Sequence, residues 1–170
     1  NANMVTNYTI ELIDHNGVTV NRNWYDGTGS SNASFPFTFR GFGSTGPNNI
    51  TSNVVTNATG GSALWLGTTG SSNATGNVTI ARNRIRSSAN DGIEFSFPEN
   101  FAAAVSINNN FINSNTASGI FLNAAAFIPH QFISINNNSI TGNTSRGLFY
   151  LQNGATACGI NARGNWWNNN

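Results

Sequence analysis

The sequence predicts an all-β solenoid of about six coils of 27–30 residues, and three observations support it. First, one pattern recurs: an apolar residue, any two residues, Asn, any residue, and a second apolar residue. Its asparagines, Asn23, Asn53, Asn83, Asn110, Asn138 and Asn165, are spaced 30, 30, 27, 28 and 27 residues apart. Second, the apolar residues around them alternate with a period of two over short runs, which is strand rather than helix spacing. Third, Gly, Asn and Ser punctuate these runs as turn residues do. A coil of this size cannot bury its inward residues alone and must stack on its neighbours. Six coils stacked at ~4.8 Å give a rod of about 29 Å.

Taken in order, residues 1–17 form an N-terminal partial coil with a short alternation at Tyr8, Ile10 and Leu12, and residues 18–170 form a single solenoid domain. The copies are Val20–Asn23–Tyr25, Ile50–Asn53–Val55, Ile80–Asn83–Ile85, Ile107–Asn110–Ile112 and Ile135–Asn138–Ile140, with a degenerate sixth at Ala162–Asn165–Trp167. Val18, Val78, Val105, Ile133 and Ile160 extend most copies by one more alternation. The middle copies then pass a small residue into a second run: Ala63-Leu64-Trp65-Leu66, Gly92-Ile93-Glu94-Phe95, Gly119-Ile120-Phe121-Leu122 and Gly147-Leu148-Phe149-Tyr150. Each coil therefore holds about three short strands. The repeated Asn falls at a corner, where its tolerance of the left-handed conformation and its bonds to nearby backbone are useful. Stacked in register, its amide is expected to bond the Asn of the next coil in a ladder.

Composition narrows the function. Of 170 residues, 13 are charged, seven of them Arg, while Asn supplies 32 positions. Twelve Phe, four Trp and three Tyr argue against a disordered polar tract. A net charge of +1 gives no basic footprint for nucleic acid and no polybasic patch for a membrane surface. No apolar run reaches the ~20 residues of a membrane-spanning helix, and no signal peptide is visible. The chain starts at Asn1, as a processed product or an excised piece would.

Segments such as Val105-Ser-Ile-Asn-Asn-Asn-Phe-Ile112 and Ile133-Ser-Ile-Asn-Asn-Asn-Ser-Ile140 resemble right-handed parallel β-helix repeats, the pectin-lyase-like architecture. The closing Gly164-Asn-Trp-Trp167 resembles the last coil of Asn-rich microbial surface proteins of that kind. The resemblance covers roughly residues 18–168 and implies a right-handed parallel β-helix. It implies little about activity, because this fold hosts lyases, hydrolases, adhesins and structural rods.

Enzymes of that family use clustered acids, with Ca²⁺ and a basic residue in the lyases and paired or triple Asp in the hydrolases. Here the acids are scattered, and none of those signatures is present. The densest charge lies in residues 82–99, where Arg82, Asp91 and Glu94 are weak candidates for binding an acidic sugar or an ion. A solvated surface network is the plainer reading. His15 and His130 have no partner at metal-ligand spacing, and the single Cys158 reads as a small buried residue. No catalytic residue, metal or cofactor is expected.

Stacking the second runs aligns Trp65, Glu94, Phe121 and Phe149 on one outward row, with Trp65, Phe121 and Phe149 as candidates for contact with a partner or sugar rings. Cover by a loop is the alternative, with Phe127–His130 or Phe97–Phe101 as the covering segments. A second outward row, Thr19, Asn49, Thr79, Ser106, Ser134 and Asn161, is small and polar and reads as a solvated face. Glycosylation sequons stand at Asn7, Asn32, Asn49, Asn57, Asn73, Asn77, Asn137 and Asn143, of which Asn57, Asn73 and Asn143 are expected in exposed turns.

Neither end shows a capping segment, so the chain is expected to stack end to end on itself or on flanking coils of a longer chain. Together these readings describe a non-catalytic, N-glycosylated, extracellular or cell-surface solenoid with a structural or adhesive role. The alternative is a carbohydrate-active β-helix that binds or cleaves polysaccharide.

Overall fold

A computed structural model of the chain describes residues 4–6, 9–15, 17–29, 35–42, 46–67, 76–97, 104–124, 132–152 and 159–168. Short alternating runs become short strands, and all of them pair in parallel within three sheets. The seven-stranded sheet holds β1 (Met4–Thr6), β4 (Trp24–Asp26), β7 (Val54–Thr56), β10 (Arg84–Arg86), β13 (Phe111–Asn113), β16 (Ser139–Thr141) and β19 (Trp166–Asn168). A second sheet holds β2 (Ile10–His15), β5 (Phe37–Phe42), β8 (Leu64–Gly67), β11 (Ile93–Phe97), β14 (Ile120–Ala124) and β17 (Leu148–Gln152). The third holds β3 (Thr19–Asn21), β6 (Asn48–Thr51), β9 (Val78–Ala81), β12 (Val105–Asn108), β15 (Phe132–Asn136) and β18 (Gly159–Asn161). Neighbours in every sheet are three elements apart along the chain, so one strand of each sheet makes a turn of a parallel β-solenoid. Among the described residues there is no helix, and so none long and apolar enough to cross a membrane.

Alternation within each strand sends one set of side chains into the shared interior. Tyr25, Val55, Ile85, Ile112 and Ile140 line one wall, Leu64, Ile93 and Ile120 with Leu66, Phe95 and Leu122 the second, and Ile50, Ile80, Ile107 and Ile135 the third. Each row stacks like on like through the strand register. Full burial of one such aliphatic side chain contributes about 1.5–3 kcal/mol. Asn48 enters the slot that Val78, Val105 and Ile133 fill elsewhere, and it is fully buried. Its Oδ1 accepts from the Val18 N–H at 3.3 Å and its amide donates to the Gly46 carbonyl at 3.4 Å.

At the corner between the third and seven-stranded sheets, the repeated asparagines form a continuous ladder. The backbone N–H and the side-chain amide of Asn53 both donate to Asn83 Oδ1, at 2.9 and 3.0 Å. The same pair of hydrogen bonds joins Asn23 to Asn53, Asn83 to Asn110, Asn110 to Asn138 and Asn138 to Asn165. Each amide from Asn53 onward also donates backwards to a carbonyl of the preceding turn, as Asn110 does to Ile80 at 2.9 Å. Buried amides bonded at both ends avoid the ~1–3 kcal/mol penalty of an unsatisfied group.

One expectation at this corner is corrected. The left-handed residue is the one immediately before each ladder Asn: Arg22, Ser52, Arg82, Asn109 and Asn137 have φ between 54° and 58°, and Gly164 has φ 64°. The ladder Asn must keep its side chain inside, so its predecessor takes the turn. Each of the five non-Gly residues donates its N–H to the next turn, Ser52 to the Ala81 carbonyl at 3.0 Å for instance, which offsets the strain.

A second, shorter ladder was not anticipated. At the corner between the seven-stranded and second sheets, the N–H and amide of Asn115 donate to Asn143 Oδ1 at 3.1 and 2.8 Å, and the Ser88 N–H donates to Asn115 Oδ1 at 3.0 Å. Glycine follows closely because space requires it. A Cβ on Gly119 would lie 2.5 Å from Ile140 Cγ2 and 2.8 Å from the Gly147 carbonyl oxygen.

Candidate functional site

The inward rows are apolar and the ladder amides are paired, so the side chains offered to solvent are those of the outward rows. On the second sheet the register pairs Glu11, Thr38, Trp65, Glu94, Phe121 and Phe149 in one line. Its aromatic members are half-buried. Phe35 packs on Trp65 with ring centroids 5.7 Å apart, and the Arg40 guanidinium lies 5.6 Å from the Trp65 ring. Phe121 and Phe149 stack at 5.1 Å with 16° between their planes, and Arg146 lies 4.3 Å over Phe149. Neighbouring side chains thus provide much of the cover that was expected of a loop. Of the two segments named for that role, 98–101 and 127–130 lie outside the described residues.

Arg82, Asp91 and Glu94 do not form one site. Arg82 is exposed at the corner between the third and seven-stranded sheets, whereas Asp91 and Glu94 sit around the next corner. Asp91 Oδ1 accepts from the Ser118 N–H at 2.7 Å, and Ser62 donates to Glu94 Oε2 at 2.6 Å. Ser62 also accepts from the Asp91 N–H at 3.3 Å and the Asn90 amide at 3.2 Å. Burial pushes both carboxyls up, against the pull of these hydrogen bonds, with Asp91 adding a smaller upward push on Glu94. The pair is committed to bonds within the fold. Among the described residues no group of three or more His, Cys, Asp and Glu side chains is placed to hold a metal ion. His130 and Cys158 lie outside them.

The seven-stranded sheet carries a further outward row, one with no single residue type along its length. Met4, Trp24, Val54, Arg84, Phe111, Ser139 and Trp166 are in register, each from Trp24 onward immediately following a ladder Asn. Trp24 is 51 %, Phe111 39 % and Trp166 66 % exposed. The Arg84 guanidinium lies 5.6 Å from the Phe111 ring. A parallel row two residues further on holds Asp26, Thr56, Arg86, Asn113 and Thr141. Between the rows runs a shallow groove lined by Trp24, Val54, Arg84, Arg86, Asp26 and Asn57. Asp26 Oδ1 accepts from the Asn57 amide at 3.0 Å and from the Thr28 hydroxyl and N–H at 2.7 and 3.0 Å. The Asn57 bond, followed by those of Thr28, holds the Asp26 carboxyl below the usual range.

The third sheet aligns Thr19, Asn49, Thr79, Ser106, Ser134 and Asn161 as a polar row. Asn108 and Asn136 donate to Ser106 and Ser134 beside it, at 2.9 and 2.5 Å.

The sequons divide by environment. Asn77 and Asn137 are exposed and Asn49 is half-buried. Asn143, expected in an exposed turn, is instead 5 % exposed and locked as a rung of the second ladder, because its side chain turns inward to satisfy Asn115. Asn57 is half-buried with its amide bonded to Asp26 and Thr28. Asn7, Asn32 and Asn73 lie outside the described residues.

No protein-family model, curated protein or solved structure matches the chain. What the geometry shows is therefore a parallel β-solenoid with one face of exposed aromatic and cationic side chains.

Proposed function

We propose that the chain is a non-catalytic structural or adhesive β-solenoid of the extracellular space or cell surface, a module of a surface protein or a subunit of a filament. In this reading the solenoid is right-handed, as parallel crossover connections nearly always are, and it belongs with the Asn-rich microbial surface proteins. The observation that most supports adhesion is the seven-stranded face, where Trp24, Phe111 and Trp166 stay exposed on a rigid surface. Large exposed apolar side chains gathered on one face mark contact with a partner. Stacking is supported by the ladder, since Asn165 would donate to a further rung as Asn138 donates to it. Asn49, Asn77 and Asn137 are the acceptors best suited to carry glycans.

Two measurements test this. Negative-stain electron microscopy with light scattering is expected to show rods of uniform width that lengthen with concentration. Beads coated with the chain are expected to hold to a ligand-bearing surface where bare beads wash off. Release of reducing ends from a polysaccharide by the purified chain would overturn the non-catalytic reading.

A further inference from the structure

Charge on this molecule is unevenly placed. Four of its seven arginines lie on or beside the seven-stranded face: Arg84 and Arg86 on β10, and Arg22 and Arg82 at the corner leading into it. All four are exposed. Among the described residues the face has one acid, Asp26, and no ion pair engages Arg84 or Arg86. Trp24 and Phe111 stand three strands apart on the same row, ~14 Å along the axis, with Arg84 between them. Arg86 and Asp26 lie on the parallel row roughly 7 Å away. The row therefore presents a ring, an aliphatic residue, a cation and a second ring in order along the axis, with Arg86 on the same strand as Arg84 in the neighbouring row.

We propose that this face binds an anionic polysaccharide laid along the solenoid, with sugar rings on Trp24 and Phe111, acidic groups on Arg84 and Arg86, and hydroxyls on Asp26 and Asn57. The inference rests on the adhesive reading and specifies its ligand. Aromatic faces pack against the apolar side of a sugar ring, and guanidinium groups take carboxylate or sulfate oxygens in paired hydrogen bonds. A single-stranded nucleic acid also combines stacking with negative charge, but Asp26 disfavours it. Its ionised carboxylate, already accepting three hydrogen bonds from within the fold, repels any anion, and only a ligand that offers hydroxyl donors beside its acidic groups offsets this, as sugar units do and a DNA phosphodiester backbone does not. Asn113 and Thr141 continue the polar row along which further hydroxyls would lie.

The test is affinity electrophoresis of the full chain through gels containing dextran sulfate, alginate, neutral dextran or oligo-dT. The sulfated and neutral dextrans share a backbone, and alginate presents carboxylates in place of sulfates. Retardation by one or both anionic polymers is expected, weakening as salt is raised. The Arg84→Ala/Arg86→Ala variant should bind on the order of tenfold more weakly. Trp24→Ala should weaken binding with its charges intact. All three altered side chains are exposed, and an unchanged melting temperature checks that the variants fold. Equal retardation of wild type and the double-arginine variant would overturn the proposal, as would retardation by oligo-dT alone. Retardation by neutral dextran that Trp24→Ala removes and the arginine variant keeps would overturn the anionic assignment while leaving adhesion standing. Binding to no polymer in the gels would overturn this inference, and the bead assay would then decide the adhesive reading separately.

Discussion

The seven-stranded face and the second-sheet face are built by the same rule and end up different. Both place aromatic side chains on an outward row with strict register. On the second sheet Phe35, Arg40 and Arg146 lie against Trp65 and Phe149, so the row is partly withdrawn from water. On the seven-stranded sheet the strands are three residues long, and Trp24, Phe111 and Trp166 keep 39–66 % exposure. Alignment of aromatic residues therefore does not distinguish a packing row from a contact surface. The area each ring keeps in water does, since Arg84 lies 5.6 Å from Phe111 and still leaves it 39 % exposed.

The strongest way to break the solenoid that carries both faces lies at the ladder corner. Asn110 accepts from two donors of Asn83 and gives two to Asn138 and one to Ile80. Asn110→Leu should cost about 2–5 kcal/mol, because buried donors lose their acceptor. Thermal unfolding is the measurement, and an unchanged midpoint would remove the ladder from the account of stability.

A smaller effect sharpens the contrast itself. Phe121→Ala removes a stacked, half-buried ring and should cost about 1–2 kcal/mol. Phe111→Ala on the other face should stay within about 0.5 kcal/mol, as surface substitutions do. Equal losses in denaturant titration would mean that the two faces are packed alike.

The smallest expected effect concerns pH, and its sign differs between the faces. Burial raises the Asp91 carboxyl, so the unfolded chain loses that proton first and stability falls as pH rises above the ordinary carboxylate range. Asp26 is lowered, so its contribution is present above that range and is lost on acidification. Melting curves across pH should show Asp91→Asn flattening part of the first slope and Asp26→Asn flattening part of the second. Swapped effects would reverse the assignment of the two environments.

The interior was legible in the sequence because packing there demands the same residue at each level. Asn23 to Asn165 and the Ile rows repeat by identity, which gave the strands, the period and the main ladder. The left-handed corners were misplaced by one residue, since Arg22, Ser52 and Arg82 are not types that announce that conformation. The second ladder escaped notice because Ser88 replaces Asn at one of its three levels, although Asn115 and Asn143 each stand four residues before a glycine. The exposed aromatic face was the least visible part. Solvent imposes no common identity on Trp24, Val54, Arg84, Phe111 and Ser139, and only their shared position after the ladder Asn reveals the row.

The ladder also gives the rod a sense of direction. From Asn23 to Asn138 every side-chain amide offers its nitrogen toward the C-terminal neighbour and its counterpart there offers oxygen back. If one rung turned over, nitrogen would face nitrogen on one flank and oxygen would face oxygen on the other. No rung can therefore choose its orientation independently, and the whole spine acts as a single switch fixed in one position. A coil arriving at either end meets an arrow rather than a symmetric edge, and only a coil pointing the same way continues it.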